Sequence, residues 1–501
     1  MTRALVLAEG DSVAVVLDGA AAGDPIAAGP TAGLTAAEDI PPGHKVSIAA
    51  VAQGAEVLKY GQVIGHATTP IAPGQHVHTH NLGFHDTEAA QYGPAATRAV
   101  TPAEPETFQG IVRQDGRVAT RNYVGIITSV NCSATVAKII ADQVSRSGML
   151  EEVPGIDGVV AITHGTGCGL ASDGEGLELL RRTLSGYAAH PNFGGLLVLG
   201  LGCEVNQIAD LDLPGDTPVT TMTIQDAGGT AAAVRQGVEA IRDLLPALKA
   251  ERTPVPASHL VLGLKCGGSD GYSGITANPA LGVAADLLVA QGGTAILAET
   301  PEIYGAEGLL AARAADEKVA RALLERIEWW RDYTARHGGS LDNNPSPGNK
   351  AGGITTILEK SLGAVAKSGS TPLNGVYRFA EQVRDRGLVF MDTPGYDPVS
   401  VTGMVAGGAN VVCFTTGRGS VYGCKPVPSL KLATNSDLYR RMRDDMDIDC
   451  GPIAAGELTI EESGRAILDL VLATASGERT ASERFDFGQE EFAPWQLGAV
   501  M

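Results

Sequence analysis

Positive charge is scarce in this chain: 37 Lys and Arg stand against 57 Asp and Glu over 501 residues, a formal net charge of −20. Such a field repels phosphate backbones and anionic bilayer surfaces, so nucleic acid and membranes are set aside as partners. No apolar run is long enough to span a bilayer. The N-terminus, Met1-Thr2-Arg3-Ala4-Leu5, meets acidic Glu9 and Asp11 before a signal-peptide apolar stretch can form. Cysteine is sparse as well. The seven are odd in number, form no C-x-x-C pair and mostly sit beside glycine, which excludes a disulfide scaffold and points to reduced thiols in a cytoplasmic protein.

Glycine, by contrast, is abundant: 64 residues, about one in eight against an ordinary 7%. Many tight turns and close backbone approaches follow from it. With 44% hydrophobic residues over 501 positions the chain can bury a large interior, and its length predicts two or three domains. From Leu5 to about Asp86, short β-rich runs alternate with Gly/Pro turns such as Pro41-Pro42-Gly43, which predicts a small β domain. A Pro-rich acidic stretch without periodicity follows. Beyond it, buried-looking apolar strands each lead through a Gly-rich turn into an amphipathic helix, the alternation of an α/β region with parallel sheets. These shifts divide the chain into a β domain at 1–91, a linker at 92–108, and α/β subdomains at 109–250 and 251–501, with the polar stretch from Lys249 to Ser258 as the second boundary.

Candidate chemistry collects after predicted strands. Cys132, Cys168, Cys203 and Cys266 each fall one to five residues past a strand end, where ligands bind in open parallel sheets. Converging thiolates there would suit iron, zinc or an iron-sulfur cluster. His76, His78 and His80 alternate along one stretch and are placed on one face of a strand as further metal ligands. His164, in the turn that carries Cys168, is the first candidate for general base. Glu299 and Glu302 flank Pro301 after another strand and could act as acid, base or ligand; Ser269, Asp270 and Asn278 follow Cys266 as substrate-binding candidates. The local positive charge that an anionic substrate needs is supplied by Lys350 and Arg418 in Gly-rich loops. Gly417-Arg418-Gly419 also hints at a dinucleotide fold but lacks the full G-x-G-x-x-G spacing.

Together these segments resemble the altronate/galactarate dehydratase family. The resemblance rests on Gly43-His44-Lys45, Lys59-Tyr60-Gly61, His76 to Asn81, Asp115 to Asn122, Gly200 to Glu204, Cys266 to Asp270, Thr276 to Pro279, Asn344 to Gly353 and Thr416 to Gly419. It implies an N-terminal SAF (β-clip) domain ahead of a dehydratase region, and a hydro-lyase that turns an aldonate such as D-altronate, or an aldarate such as galactarate, into a 2-keto-3-deoxy acid. It further implies a divalent metal, Fe2+ before Mn2+. The His run is similar to the altronate branch, whereas the neighbours of Cys132 and Cys168 depart from both branches. The expected protein is a homo-oligomer acting on a small sugar acid whose carboxylate is held by Arg418 or Lys350. The alternatives are a sulfolactate-type sulfo-lyase, a non-catalytic sugar-acid sensor and a nicotinamide dehydrogenase.

Overall fold

The structure is a computed structural model that describes residues 2–29, 31–84 and 100–498. The Gly/Pro-punctuated N-terminal segment forms two small sheets. One runs in the order Thr31–Thr35, Pro25–Ala28, Thr2–Leu5, Val13–Val16, Lys45–Ser47, His76–Val77, and the other in the order Glu56–Lys59, Gln62–Ala67, Leu82–Gly83. Asp11 pins the module from inside: its carboxylate accepts from the backbone N–H groups of Ala8, Tyr60 and Gly61 at 2.9, 3.1 and 2.8 Å.

Of the stretch expected to be linker, residues 92–99 lie outside the described residues, and the strand Thr107–Val112 begins before its expected end. That strand pairs antiparallel with Val118–Ala119 and with Thr253–Pro256. The polar stretch between the two α/β regions is therefore held by a ladder. A four-stranded parallel sheet follows in the order Gly158–Ile162, Tyr123–Thr128, Phe193–Gly200, Val219–Thr223. A seven-stranded parallel sheet follows in turn: Leu373–Tyr377, Gly387–Met391, Thr294–Ala298, Val261–Cys266, Val411–Thr416, Ser429–Ala433, Ile448–Asp449.

Continuous apolar strands such as Thr294–Ala298 and Val411–Thr416 are buried along their whole length because helices cover both faces. Leu281, Ala284 and Leu288 of helix Ala277–Ala290 pack with Ile467, Leu468 and Val471 of helix Ile460–Ala475 on one face. The other face shares its core with the smaller sheet through helices Glu175–Ala188 and Asp397–Ala406. These two helices cross at Gly186, where an added Cβ would stand 2.5 Å from the carbonyl oxygen of Ala406. Among the described residues no helix is long and apolar enough to cross a membrane.

Candidate active site

Two strand ends of the seven-stranded sheet bring charge into the interior. Strand Val261–Cys266 closes on Lys265 and Cys266, while strand Thr294–Ala298 runs into Glu299 and the turn carrying Glu302, all buried. Lys265 Nζ contacts Glu299 Oε1 and lies 2.7 Å from Asp397 Oδ1. Lys360 Nζ donates to Glu302 Oε1 at 2.7 Å, Asn344 Nδ2 donates to the same oxygen at 2.9 Å, and Lys367 Nζ donates to Cys266 Sγ at 2.8 Å. Glu299 is a non-glycine residue at φ 75°, a left-handed conformation that costs roughly 1–3 kcal/mol and persists only where its surroundings enforce it. Its Oε2 is buried without a hydrogen-bond partner. Burial and the neighbouring Glu302 raise the Glu299 pKa, against the pull of Lys265. At Glu302 burial is outweighed by Lys360, Lys265 and Lys367, and the pKa is lowered. Burial raises the Cys266 thiol despite Lys367.

Cys266 Sγ and one oxygen each of Glu299 and Glu302 lie within 4.8 Å of one another, the one such group among the described residues. One thiolate and two carboxylates, with an oxygen lacking a hydrogen-bond partner among the described residues, are compatible with a divalent metal ion. Cys266 and Lys360 also border a small cavity of about 10 Å³ whose other walls include Ser269, Asp270, Asn278, Lys59 and Glu359.

The β domain seals this cavity. Lys45 and Lys59, both buried, reach across to Glu359 at 2.9 and 2.8 Å, and Lys45 also donates to the Gly353 carbonyl oxygen at 2.6 Å. Burial outweighs the attraction of Glu359 at Lys45, whose pKa falls to about 8, whereas at Lys59 the same carboxylate overcomes burial and raises it. Glu359 itself is lowered, the two lysines outweighing its burial. The turn at Gly43 presses onto the α/β body so tightly that a Cβ at Gly271 would lie 1.9 Å from the Gly43 carbonyl oxygen.

Along this seam lie the histidines. His76 is in a strand, but the strand ends at Val77 and a turn closed by Asn81 N on His78 O follows, so alternation on one strand face does not hold. The rings gather through the turn and through His44, with centroids 5.1 Å apart for His44–His76 and His44–His78, 5.3 Å for His76–His78 and 5.5 Å for His76–His80. They stack instead of converging on one point. His78 Nε2 donates to the Lys350 carbonyl oxygen at 2.8 Å. His44 Nε2 faces the Ala351 carbonyl oxygen at 3.3 Å and so carries its hydrogen there. Burial lowers His44 to about 4 and His76 to about 3, so both rings are neutral at pH 7. His44 Nδ1 is then a lone pair that accepts from His76 Nε2 at 3.0 Å, which leaves His76 Nδ1 unprotonated. Among the described residues no hydrogen bond engages that nitrogen.

Several candidates lie elsewhere or are already engaged. His164 belongs to the smaller sheet, where its Nε2–H donates to the Thr128 carbonyl oxygen at 3.0 Å and its Nδ1 accepts from Thr166 N at 3.3 Å. Burial lowers the ring to about 4, and because both nitrogens are engaged in holding the turn, neither is free to take a proton from substrate. Cys132, Cys168 and Cys203 are exposed on that same sheet and do not join buried Cys266, since the two groups end different sheets. The Asp270 carboxylate is filled by Ser273, Tyr272, Thr434 and Asn435, and the Asn278 amide bridges Thr415 and the Gly363 carbonyl. Both organise loops while lining the same cavity as Cys266 and Ser269. Ser269 lines the cavity, Lys350 stands half-exposed beside the histidines, and Arg418 is exposed next to Gly352. Sequence reasoning missed Lys45, Lys59, His44, Lys265, Glu359, Lys360 and Lys367. Lysines interrupting apolar strands, as in Val261–Cys266, were the available signal.

This is the plan of a two-part enzyme, an α/β body whose larger sheet is closed at its carboxyl edge by a small β domain. Family models match along the chain: the altronate/galactarate dehydratase SAF domain at 2–85, the D-galactarate dehydratase/altronate hydrolase second domain at 110–249, and the D-galactarate/altronate dehydratase C-terminal region at 257–500. Altronate dehydratase of Bacillus subtilis (strain 168) is 35% identical over 469 residues, 93% of either chain. Galactarate dehydratase (L-threo-forming) of Escherichia coli (strain K12) is 38% identical over 462 residues, covering 89% of this chain and 88% of that one. The (2R)-sulfolactate sulfo-lyase subunit beta of Chromohalobacter salexigens is 32% identical over 395 residues, 78% of this chain and 97% of that subunit. The chain belongs to the D-galactarate/altronate dehydratase family and by that membership is a hydro-lyase.

Proposed function

We propose that the protein dehydrates a sugar acid, an aldonate such as D-altronate or an aldarate such as galactarate, to its 2-keto-3-deoxy acid, with a divalent metal as cofactor. The observation that carries the reading is the seam of the β domain, where a neutral imidazole with a free nitrogen stands beside the cationic loops of Lys350 and Arg418. Arg418 offers a carboxylate its two-pronged fork, and Lys350 adds a second charge. With the acid so held, His76 Nδ1 takes the C2 proton, the C3–oxygen bond breaks with the hydroxyl leaving as water once it gains a proton, and the enol that remains rearranges to the 2-keto acid. His44 then stabilises the charge that forms on His76 by accepting from its Nε2–H, anchored in turn on the Ala351 carbonyl. Such positioned proton transfer contributes roughly 10²- to 10⁴-fold. The closed β domain keeps bulk water from the cavity beneath. Cys266, Glu299 and Glu302 would hold the metal, which when bound supplies Lewis-acid stabilisation of oxygen charge.

A screen of aldonates and aldarates for 2-keto product, with chelator and then with added ferrous iron or manganese, tests the reading. Formation of 2-keto acid only in the metal-supplemented arms is expected. Turnover that persists in chelator overturns the metal dependence, and absence of product from every acid overturns the reaction. Because the sulfo-lyase subunit aligns with so much of this chain, sulfolactate belongs in the same screen; release of sulfite from it alone would replace dehydration by sulfite elimination.

A further inference from the structure

All of the exposed cysteines stand on one edge of the molecule. Cys132, Cys168 and Cys203 are exposed, while Cys266, Cys413, Cys424 and Cys450 are buried. Free cysteine is among the most buried residue types, so three in water on one edge call for a reason. Their strands are immediate neighbours. Tyr123–Thr128 pairs in parallel with Gly158–Ile162 on one side and with Phe193–Gly200 on the other, so the thiols follow three adjacent carboxyl ends, at strand spacings of about 4.8 Å.

The loops carrying them are tied to one another. Asn131 N donates to the Thr166 carbonyl oxygen at 2.8 Å, Asn206 N to the Gly167 carbonyl oxygen at 3.0 Å and Asn206 Nδ2 to the Ser129 carbonyl oxygen at 2.9 Å. Ser129 Oγ donates to Glu204 Oε1 at 2.5 Å. Cys132 follows Asn131, Cys168 follows Gly167 and Cys203 precedes Glu204, so each thiol is next to a residue fixed by these links. Cys203 Sγ in addition accepts from Gln225 Nε2 at 3.3 Å.

We propose that Cys132, Cys168 and Cys203 ligate a cubane iron–sulfur cluster, one thiolate to each of three irons, with the fourth iron left to water or another oxygen ligand. A single zinc ion, with Zn–S bonds of about 2.3 Å, would draw its thiolates to about 4 Å from each other. These three sulfur atoms do not all lie within 4.8 Å of one another, unlike the ligand atoms of Cys266, Glu299 and Glu302. A cluster, which spreads its thiolates over several irons, does not require them to approach so closely. An odd set of exposed thiols also leaves no complete disulfide pairing. On ligation each thiol releases its proton to solvent, and sulfide with ferrous and ferric iron in equal parts are the co-reactants, so that a cubane of two ferrous and two ferric irons forms without an external oxidant. The site stands apart from the seam and does not depend on the sugar-acid reading.

The experiment is anaerobic reconstitution of the full-length protein with sulfide and equal parts of ferrous and ferric iron, followed by iron and sulfide analysis and visible absorption spectroscopy. About four sulfides per chain, and about four irons beyond any held by Cys266, Glu299 and Glu302, are expected with the broad visible band of a cluster. Cys132→Ser, Cys168→Ser and Cys203→Ser should each reduce the band and the sulfide content by more than half, while Cys266→Ser keeps the band and the sulfide. Circular dichroism reports that these surface variants remain folded. A wild-type protein that takes up no sulfide, that binds one ion without sulfide, or whose band survives the triple serine variant overturns the proposal.

Discussion

The two parallel sheets differ at the ends where their strands point. The seven-stranded sheet ends in buried lysines, carboxylates and a thiol that neutralise one another, under a domain that covers them. The four-stranded sheet ends in exposed thiols and in a histidine whose two nitrogens hold its own turn. Both edges obey the same topological rule for where ligands bind, yet one has a second domain to exclude water and focus charge and the other does not. A strand's carboxyl end thus nominates a site, and the packing above it decides what chemistry the site can host.

The comparison breaks first at Glu359, the carboxylate that holds the β domain over the larger sheet. Glu359→Gln leaves buried Lys45 and Lys59 without a counter-charge and should cost about 3–5 kcal/mol in denaturant unfolding. Glu359 has a lowered pKa in the folded state. Its contribution is therefore complete above the ordinary glutamate value of about 4.3 and is lost as pH falls from there toward the folded-state value. Acid titration of stability should show this loss in the wild type and a smaller loss in Glu359→Gln; equal slopes would show that the pair does not hold the domain.

A smaller effect is expected at the seam's rim. Arg418→Lys should raise KM by roughly 10-fold with the unfolding midpoint unchanged, since a point charge does not reproduce a two-pronged fork. An unchanged KM for every accepted acid would remove Arg418 from the site. The pH profile sharpens the same point. Because burial holds His76 near 3 in the folded protein, its base form persists through mildly acidic pH, and the acid limb of kcat/KM should fall well below the ordinary histidine value of about 6.5. A limb centred at 6.5 would point to a solvated base. The smallest effect belongs to the other edge, where His164→Asn should cost about 1 kcal/mol of stability for its turn hydrogen bonds.

Much of this was legible in the sequence, for reasons specific to each element. The alternation of apolar strands and amphipathic helices expected beyond residue 108 is present, as in strand Thr294–Ala298 and helices Thr230–Leu244 and Glu317–Arg336. The strand Thr107–Val112 escaped because its stretch opens on Pro and Glu, and its pairing with Thr253–Pro256 joins segments far apart in the chain. The His run and the cationic loops could be read as chemistry, but not the placement of His44 beside His76, which arises when two strands pair in the β domain. Cys266 resembled the other cysteines in its local glycine-rich setting, and only the assignment of strands to sheets separates it from them. Glu359 gave no signal, because its role depends on lysines about 300 residues away.

The most direct test of where the chemistry lies is kcat/KM for His76→Asn and His164→Asn, measured side by side on whichever sugar acid the wild type accepts, with folding checked by thermal midpoint. The account predicts a loss of about 100-fold or more for His76→Asn and a value within about twofold of wild type for His164→Asn, whose two ring nitrogens bond backbone groups of its own sheet. A large loss at His164 with little change at His76 would move the reaction to the four-stranded edge and contradict the assignment of the seam.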